Sequence, residues 1–205
     1  MLNKPSLRDL KREATAHALA QAAFELALER GLDGFVIEDV VQRANYSRRT
    51  FANHFSCKEE AVAMAALPSI DMDEAAEHMQ LPDGFTPLDA LRQWMKMQLT
   101  AELLWKMREL MSISKKHPTL EPYILSVYKR LQNAAQETLD YFFQSRYPEG
   151  YTHLLVGAVI GAVQPIVNGS LHVRLPGDSG DERDDGEMTF DQYLETTFGY
   201  LRKGF

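Results

Sequence analysis

Apolar residues recur at helical spacing along nearly the whole chain, and this pattern predicts an all-α protein. The first stripe covers residues 19–28 and ends at Gly31, since glycine commonly terminates helices. Two short helices are expected next, over about residues 37–44 and 48–54, and a fourth is expected to begin near Lys58. No segment shows the strict alternation of apolar and polar residues that a half-buried strand requires.

The second half of the chain predicts longer helices separated by proline and glycine. Their expected bounds are about residues 87–116 with a bend, 120–146, 152–173 and 190–203. Three breaks separate elements: one at Pro68, one at the turn 81–84 and one at His117-Pro118. Residues 176–187 contain six acids and three glycines, so we expect a solvated loop between the last two helices.

Charge is distributed unevenly along the 205 residues. The formal net charge of −7 argues weakly against a nucleic-acid-binding protein. However, residues 1–58 carry nine Lys and Arg against seven Asp and Glu, whereas the rest of the chain carries 13 against 22. Phosphate binding needs positive charge on one face rather than a basic protein. The distribution therefore allows a DNA-binding end and an acidic body.

Several other classes of protein are disfavoured by the composition. Cys57 is the single cysteine, which excludes an internal disulfide and a zinc site with several cysteine ligands and favours a cytoplasmic location. The longest apolar stretch, residues 154–163, is too short to span a bilayer, and no apolar leader segment begins the chain. The six histidines lack metal-ligand spacing and no catalytic motif is present, so we expect no metal, no cofactor and no enzyme.

Two short helices joined by a tight turn, preceded by a long helix, form the pattern of a helix-turn-helix. The first turn of the second short helix then needs donors that reach the base edges of double-stranded DNA, and Arg48, Arg49 and Thr50 occupy it. Phe51 and Phe55 are the expected buried anchors. Further candidates for contacts to bases or phosphates are Arg12, Tyr46, Ser47, Asn53, His54 and Lys58.

The flanks of this motif add local expectations. Lys4, Arg8, Lys11 and Arg12 form a basic arm that we expect to be disordered without DNA and to lie along the backbone or in a minor groove of DNA. Ser56 is the expected N-cap of the fourth helix, whose amides would help Lys58 to meet a phosphate.

The stretch from Leu19 to Val62 resembles the DNA-binding domain of TetR-family regulators. The matching residues are Leu19, Ala22, Ala23, Leu26, Gly31, then Ile37-Glu38-Asp39-Val40, then Ser47-Arg48-Arg49-Thr50-Phe51, His54-Phe55 and Lys58-Glu59. Three positions depart from the family pattern: Val36 replaces a capping Ser or Thr, Asn45 replaces the turn glycine, and Ala52 replaces a phosphate-contacting aromatic. Tyr46 is a candidate to replace that aromatic or to fill the core of the turn.

The resemblance implies a homodimer with a four-helix interface built from the last two long helices, and a small molecule that controls release of operator DNA. It gives a DNA-binding domain over residues 1–60 and a ligand-binding and dimerisation domain over residues 61–205. A pocket for a small apolar or aromatic effector needs apolar lining and a few polar groups. The candidates are Met64, Trp94, Met97, Trp105, Met111, Tyr128, Gln164 and Asn168, of which the two amides are expected to be buried.

Small residues on the helix over 152–173 indicate close packing against another helix. Gly157, Ala158 and Gly161 allow such an approach, and with them we assign a set of apolar neighbours to the dimer interface: Leu155, Val159, Ala162 and Ile166. An internal contact would use the same residues, and this alternative stays open.

Other functions are also compatible with parts of the sequence. The regulator is expected to be a repressor, but an activator or a regulator controlled by a protein partner would have the same motif. An adaptor would use the acidic loop as a docking segment, and His78 with Glu74 and Glu77 is the one arrangement that suggests a surface metal site.

Overall fold

The protein is all-α, and the computed structural model describes residues 6–67, 84–143, 146–148, 150–176 and 188–203. The α-helices are α1 (Leu7–Arg30), α2 (Ile37–Ala44), α3 (Arg48–Ala52), α4 (Lys58–Met64), α5 (Pro87–Gln98), α6 (Ala101–Lys116), α7 (Glu121–Phe143), α8 (Tyr151–Val167) and α9 (Phe190–Lys203). Short 3-10 turns cover Leu32–Gly34 and Pro118–Leu120. Within these ranges the one extended pairing is an isolated bridge between Arg174 and Thr189.

Several sequence expectations fall outside this part of the chain. They are the break at Pro68, most of the turn 81–84, the residues of the acidic loop beyond Pro176, the His78 cluster and Lys4.

The chain divides into two compact units. The first contains residues 1–69 and 109–129, and the second contains residues 70–108 and 130–205. The division of the chain into functional domains at residue 60 stays a prediction.

Helix α1 begins much earlier than the apolar stripe suggests, because its first turn is capped. The backbone amide of Asp9 donates to the Ser6 hydroxyl (3.2 Å), and the Asp9 carboxylate accepts from the Ser6 amide (3.2 Å). These two bonds form a reciprocal capping box. Arg8, Lys11 and Arg12 are therefore helical without DNA, and the prediction of a disordered basic arm is wrong for these residues.

The core of the first unit lies where α1 packs against α2 and α4. Its most deeply buried large side chains are Leu19, Phe24, Leu26, Leu32, Val40, Phe51, Val62 and Leu120. Across the α1–α2 contact, the Arg43 guanidinium donates two hydrogen bonds to the Glu29 carboxylate (2.7 and 2.6 Å). This bidentate pair lowers the pKa of Glu29.

Helix α2 starts without a side-chain acceptor at Val36, as the sequence predicts. The Asp39 carboxylate accepts a hydrogen bond from the Val36 amide (2.9 Å), which satisfies one of the free backbone donors near this helix start. Half of the capping box is therefore retained.

In the second unit, charged side chains join α5 to α9. Glu195 accepts hydrogen bonds from Arg92 and from Lys96 (2.7 Å), and these bonds lower the pKa of Glu195 to about 2. Arg202 pairs with Asp89, the residue that completes the capping box at the start of α5. The contacts tie the two helices together along their exposed sides.

Helix α8 is shorter than predicted. It ends at Val167 rather than near residue 173, and Gly169 follows with a left-handed backbone (φ 78°). The Leu171 amide then bonds to the carbonyl of Pro165 (2.9 Å), which closes the helix end. Helix α9, in contrast, has the bounds that its apolar stripe predicts.

Candidate nucleic-acid interface

The turn between α2 and α3 is set by the backbone of Asn45. This residue is left-handed (φ 57°, ψ 44°), and among the residues described it is the one non-glycine with positive φ. The Tyr46 amide bonds to the carbonyl of Val41 (2.9 Å), which closes the turn. Asn tolerates this conformation better than other residues with a side chain, so Asn45 fulfils the role expected of glycine.

The stability of variants at Asn45 is expected to depend on how easily the new residue adopts the left-handed backbone conformation. Asn45→Val would destabilise the protein by about 1–2 kcal/mol, because a β-branched side chain is strained at positive φ. Asn45→Gly keeps the conformation accessible and serves as the control. Urea unfolding followed by circular dichroism measures both, and equal midpoints for the two variants would contradict the argument.

Helix α3 is short and is capped by Ser47. The Ser47 hydroxyl accepts from the Thr50 amide (3.0 Å) and also bonds to the Thr50 hydroxyl (2.8 Å). The Thr50 side chain is therefore held close to the cap and is half-buried. Arg48 and Arg49 lie between the two capping residues and are exposed.

Two aromatic rings hold α3 against the rest of the first unit. Phe51 is 1% exposed and Phe55 6% exposed, and their ring centroids lie 5.6 Å apart. Both anchors are confirmed as core residues. Tyr46 is 38% exposed, so its interpretation as the core residue of the turn is wrong.

Arg48 has a partner that the sequence did not indicate. Its guanidinium forms a short ion pair with the carboxylate of Glu38, which lies in the first turn of α2. Arg49 has no ion-pair partner among the described residues. The two neighbouring arginines therefore differ in their electrostatic surroundings, because a carboxylate is bonded to Arg48 alone.

Lys58 is also bound within the protein. Its Nζ donates to the carbonyls of Leu32 (2.7 Å) and Phe35 (2.8 Å) and lies 4.9 Å from the centre of the Phe35 ring. Two of its three N–H donors thus hold the segment between α1 and α2. Its contact with a DNA phosphate stays a prediction, made from a side chain that already has a structural role.

Helix α4 begins at Lys58 as predicted, but its N-cap differs from the prediction by one residue. Cys57 is the N-cap, and its Sγ accepts from the Glu60 amide (3.4 Å). Ser56 instead donates from both its amide and its hydroxyl to the Glu60 carboxylate (2.7 Å each). Tyr123 hydrogen-bonds with the Cys57 side chain, which raises the pKa of the tyrosine.

His54 and Arg12 lie close enough to influence each other. Partial burial of His54 lowers its pKa, and the positive charge of Arg12 lowers it further. The imidazole is therefore mainly neutral at pH 7. The structure thus brings Arg12 of α1 near the end of α3, as a shared DNA-contacting surface requires.

This arrangement predicts a pH dependence of DNA binding. A phosphate beside His54 would raise its pKa from the lowered value of the free protein, so binding would take up a proton. We expect affinity to increase as pH falls from 8 to 5.5, by about three- to tenfold over the range in which the histidine titrates. Fluorescence anisotropy across this range tests it, and His54→Gln should flatten the profile. A profile that is equally steep in the variant would assign the effect to another group.

The remaining predicted contacts are on the surface. Asn53 and Ser47 are exposed, as are Arg48 and Arg49, and all of them lie within one short stretch of chain. Glu38 is the functional candidate that sequence reasoning missed. It is ten residues from Arg48, and no local pattern indicates that the two side chains meet.

Comparisons with known proteins show what the helix-turn-helix segment is similar to. The family model described as bacterial regulatory proteins, tetR family, matches residues 19–63. Over this segment, which is less than a quarter of its length, the chain is similar to that family. It is 35% identical over 89 residues to the HTH-type transcriptional regulator TcmR of Streptomyces glaucescens, an alignment that covers 43% of this chain and 39% of TcmR.

A solved structure has the same fold as this chain over most of its length. It is a crystal structure from Mesorhizobium loti MAFF303099, described as a TetR-family transcriptional regulator, with a TM-score of 0.50 and 15% sequence identity. The match covers 94% of this chain and 96% of the other. At this identity the likeness shows the fold alone.

The predicted effector residues are distributed between the two units. Met64, Met111 and Tyr128 belong to the first unit and are half-buried; the others belong to the second. There, Trp94 is 7% exposed, whereas Met97 and Trp105 are 38% and 47% exposed.

The expectation of two buried amides on α8 is wrong. Gln164 is exposed, and Asn168 is half-buried at the helix end, where its side-chain oxygen accepts from the Ser170 amide (2.9 Å). Gln164 is on the exposed side of α8, and Asn168 directly follows the last residue of the helix. Their roles in ligand binding stay predictions.

Within the described ranges, no three His, Cys, Asp or Glu side chains are grouped as a metal site. In the same ranges, no helix combines the length and the hydropathy that crossing a membrane requires.

Proposed function

We propose that this protein is a sequence-specific DNA-binding transcriptional regulator of the TetR type, acting in the cytoplasm on a palindromic operator. The observation that carries the proposal is the α2–turn–α3 unit, with Arg48 and Arg49 exposed on a short helix anchored by Phe51. Side chains in the first turn of such a helix reach base edges in the major groove. The other proposed contacts are Arg12, Tyr46, Ser47, Thr50, Asn53, His54 and Lys58.

Selection from a random double-stranded DNA library tests this proposal. Repeated binding and amplification should enrich a short inverted repeat, because a symmetric dimer reads two half-sites about one helical turn, or ~34 Å, apart. A library that stays random at moderate salt would contradict sequence-specific binding.

The proposed dimer rests on one face of α8. Leu154 is 74% exposed, and Gly157 and Gly161 are exposed on the same face. A Cβ added to either glycine would meet no described atom within 4 Å, so packing within the chain does not demand a glycine there. A second copy of α8 approaching closely would demand it.

The apolar residues that the sequence assigned to this interface do not lie on the exposed face of α8. Leu155, Val159 and Ile166 are buried within the chain itself, and the carbonyl of half-buried Ala162 accepts from the Tyr193 hydroxyl (2.9 Å). The proposed interface therefore uses the exposed face with Leu154, while the opposite face of α8 forms the core of the second unit.

We also propose repression that a small apolar or aromatic effector relieves. Support comes from Trp94, which is buried and whose indole N–H has no hydrogen-bond partner among the residues described. Buried donors are nearly always paired, so an acceptor on a bound molecule would complete this site. We place the effector in the second unit, with Trp94 as its donor.

Titration of the enriched operator fragment with and without effector tests the induction step. Candidate compounds are those from a library of aromatic carbonyl compounds that raise the melting temperature. Coupling of ~1–3 kcal/mol would weaken operator binding roughly 5- to 150-fold. Unchanged affinity at saturation would favour an activator or a regulator controlled by a protein partner.

A further inference from the structure

We propose that Glu38 is a specificity-determining residue, which acts by restricting Arg48 to base contacts at the expense of phosphate contacts. This inference rests on the proposed DNA-binding function. Glu38 is in the first turn of α2, and its carboxylate accepts a short hydrogen bond from the Arg48 guanidinium across the turn. Arg48 is the first residue of α3.

The ion pair has little value for stability. The side chains of Arg48 and Glu38 are 72% and 56% exposed, and exposed pairs contribute little to folding. In the same first unit, the Arg43–Glu29 pair joins the packed helices α1 and α2 through two hydrogen bonds. The Glu38–Arg48 pair instead lies on the face that carries the proposed DNA contacts.

The ion pair with Glu38 changes the relative affinity of Arg48 for phosphates and for base edges. A free arginine binds any phosphate, and this attraction is independent of sequence. A carboxylate bonded to the guanidinium repels a phosphate that approaches the same group. It occupies one of five N–H donors, so enough remain for a bidentate contact with a guanine edge.

Arg49 provides the internal contrast. It is exposed beside Arg48 but has no ion-pair partner in the described part of the chain. Arg49 therefore keeps its full attraction for the backbone of DNA. Arg49 therefore contributes mainly to the affinity for any DNA, and Arg48 contributes mainly to discrimination between DNA sequences.

The test compares binding of the wild type and Glu38→Gln to the selected operator fragment and to a shuffled fragment, by fluorescence anisotropy at several KCl concentrations. Glutamine keeps the shape and an acceptor but removes the charge. We expect tighter binding to the shuffled fragment by about threefold and a steeper salt dependence, by about one released counterion per subunit. The ratio of specific to non-specific affinity should fall about three- to tenfold.

Glu29→Gln is the matched control, because it removes the same charge from an exposed glutamate that pairs with an arginine elsewhere in the domain. Equal effects of the two variants would overturn the proposal in favour of net charge. Glu38→Gln should also lose its effect on the ratio in an Arg48→Ala background. An unchanged ratio in Glu38→Gln would overturn it too, whereas absence of any selected fragment for the wild type would be a failure of the proposed function.

Discussion

Replacing Phe51 by alanine is expected to destabilise the protein by about 3–5 kcal/mol, the range for deleting a buried aromatic side chain. Phe51 is 1% exposed and contacts the ring of Phe55, so the change removes a large apolar surface and leaves a cavity under α3. Since the free energy of unfolding of a folded domain is about 5–15 kcal/mol, this single change would remove a large share of it.

Urea unfolding followed by circular dichroism measures the loss at a fixed protein concentration. Tyr46→Ala is the matched control, since it deletes an aromatic ring five residues away that is 38% exposed. We expect the control to change stability by about 0.5 kcal/mol or less. A loss below about 1 kcal/mol for Phe51→Ala would mean that α3 is not held by this anchor.

The second large effect concerns binding. The double substitution Arg48→Ala/Arg49→Ala is expected to weaken operator binding by about 2–4 kcal/mol, or roughly 30- to 1000-fold, because it removes the proposed base contact of Arg48, worth about 1–3 kcal/mol, together with the attraction of Arg49 for the DNA backbone. The folded protein should be little affected, because both side chains are exposed and the Glu38 pair is on the surface.

Gel shift or anisotropy on the selected fragment gives the affinities, and the melting temperature verifies the fold. Lys129→Ala/Arg130→Ala removes the same charge from two exposed positions of α7 and controls for general electrostatics. If both double variants lose the same affinity, α3 does not read the DNA.

The elements that the sequence predicts well are those whose signals are local. Gly31 ends α1, Ser47 caps α3, and the bounds of α9 coincide with its apolar stripe. For Gly31 and Ser47, the deciding residue is within four positions of the backbone group that it bonds. The Ser6–Asp9 capping box is equally local, although the basic residues that follow it are typical of a disordered arm.

The parts of the candidate site that were missed depend on contacts between distant positions. Lys58 bonds to carbonyls 26 and 23 residues away, and Glu38 meets Arg48 only after the turn has brought α2 and α3 together. The buried surroundings of Trp94 likewise depend on the packing of separate helices. Spacing along one chain carries no signal for such pairs.

The position of Cys57 has a practical consequence for anyone attaching a probe. As the single cysteine of the chain, it is the obvious target for a maleimide dye or a spin label. Its sulfur, however, caps α4 and hydrogen-bonds with Tyr123. Labelling would replace that acceptor with a bulky thioether, so a silent reporter needs Cys57→Ser, whose hydroxyl also caps helices, and a new cysteine on an exposed helix position such as Lys203.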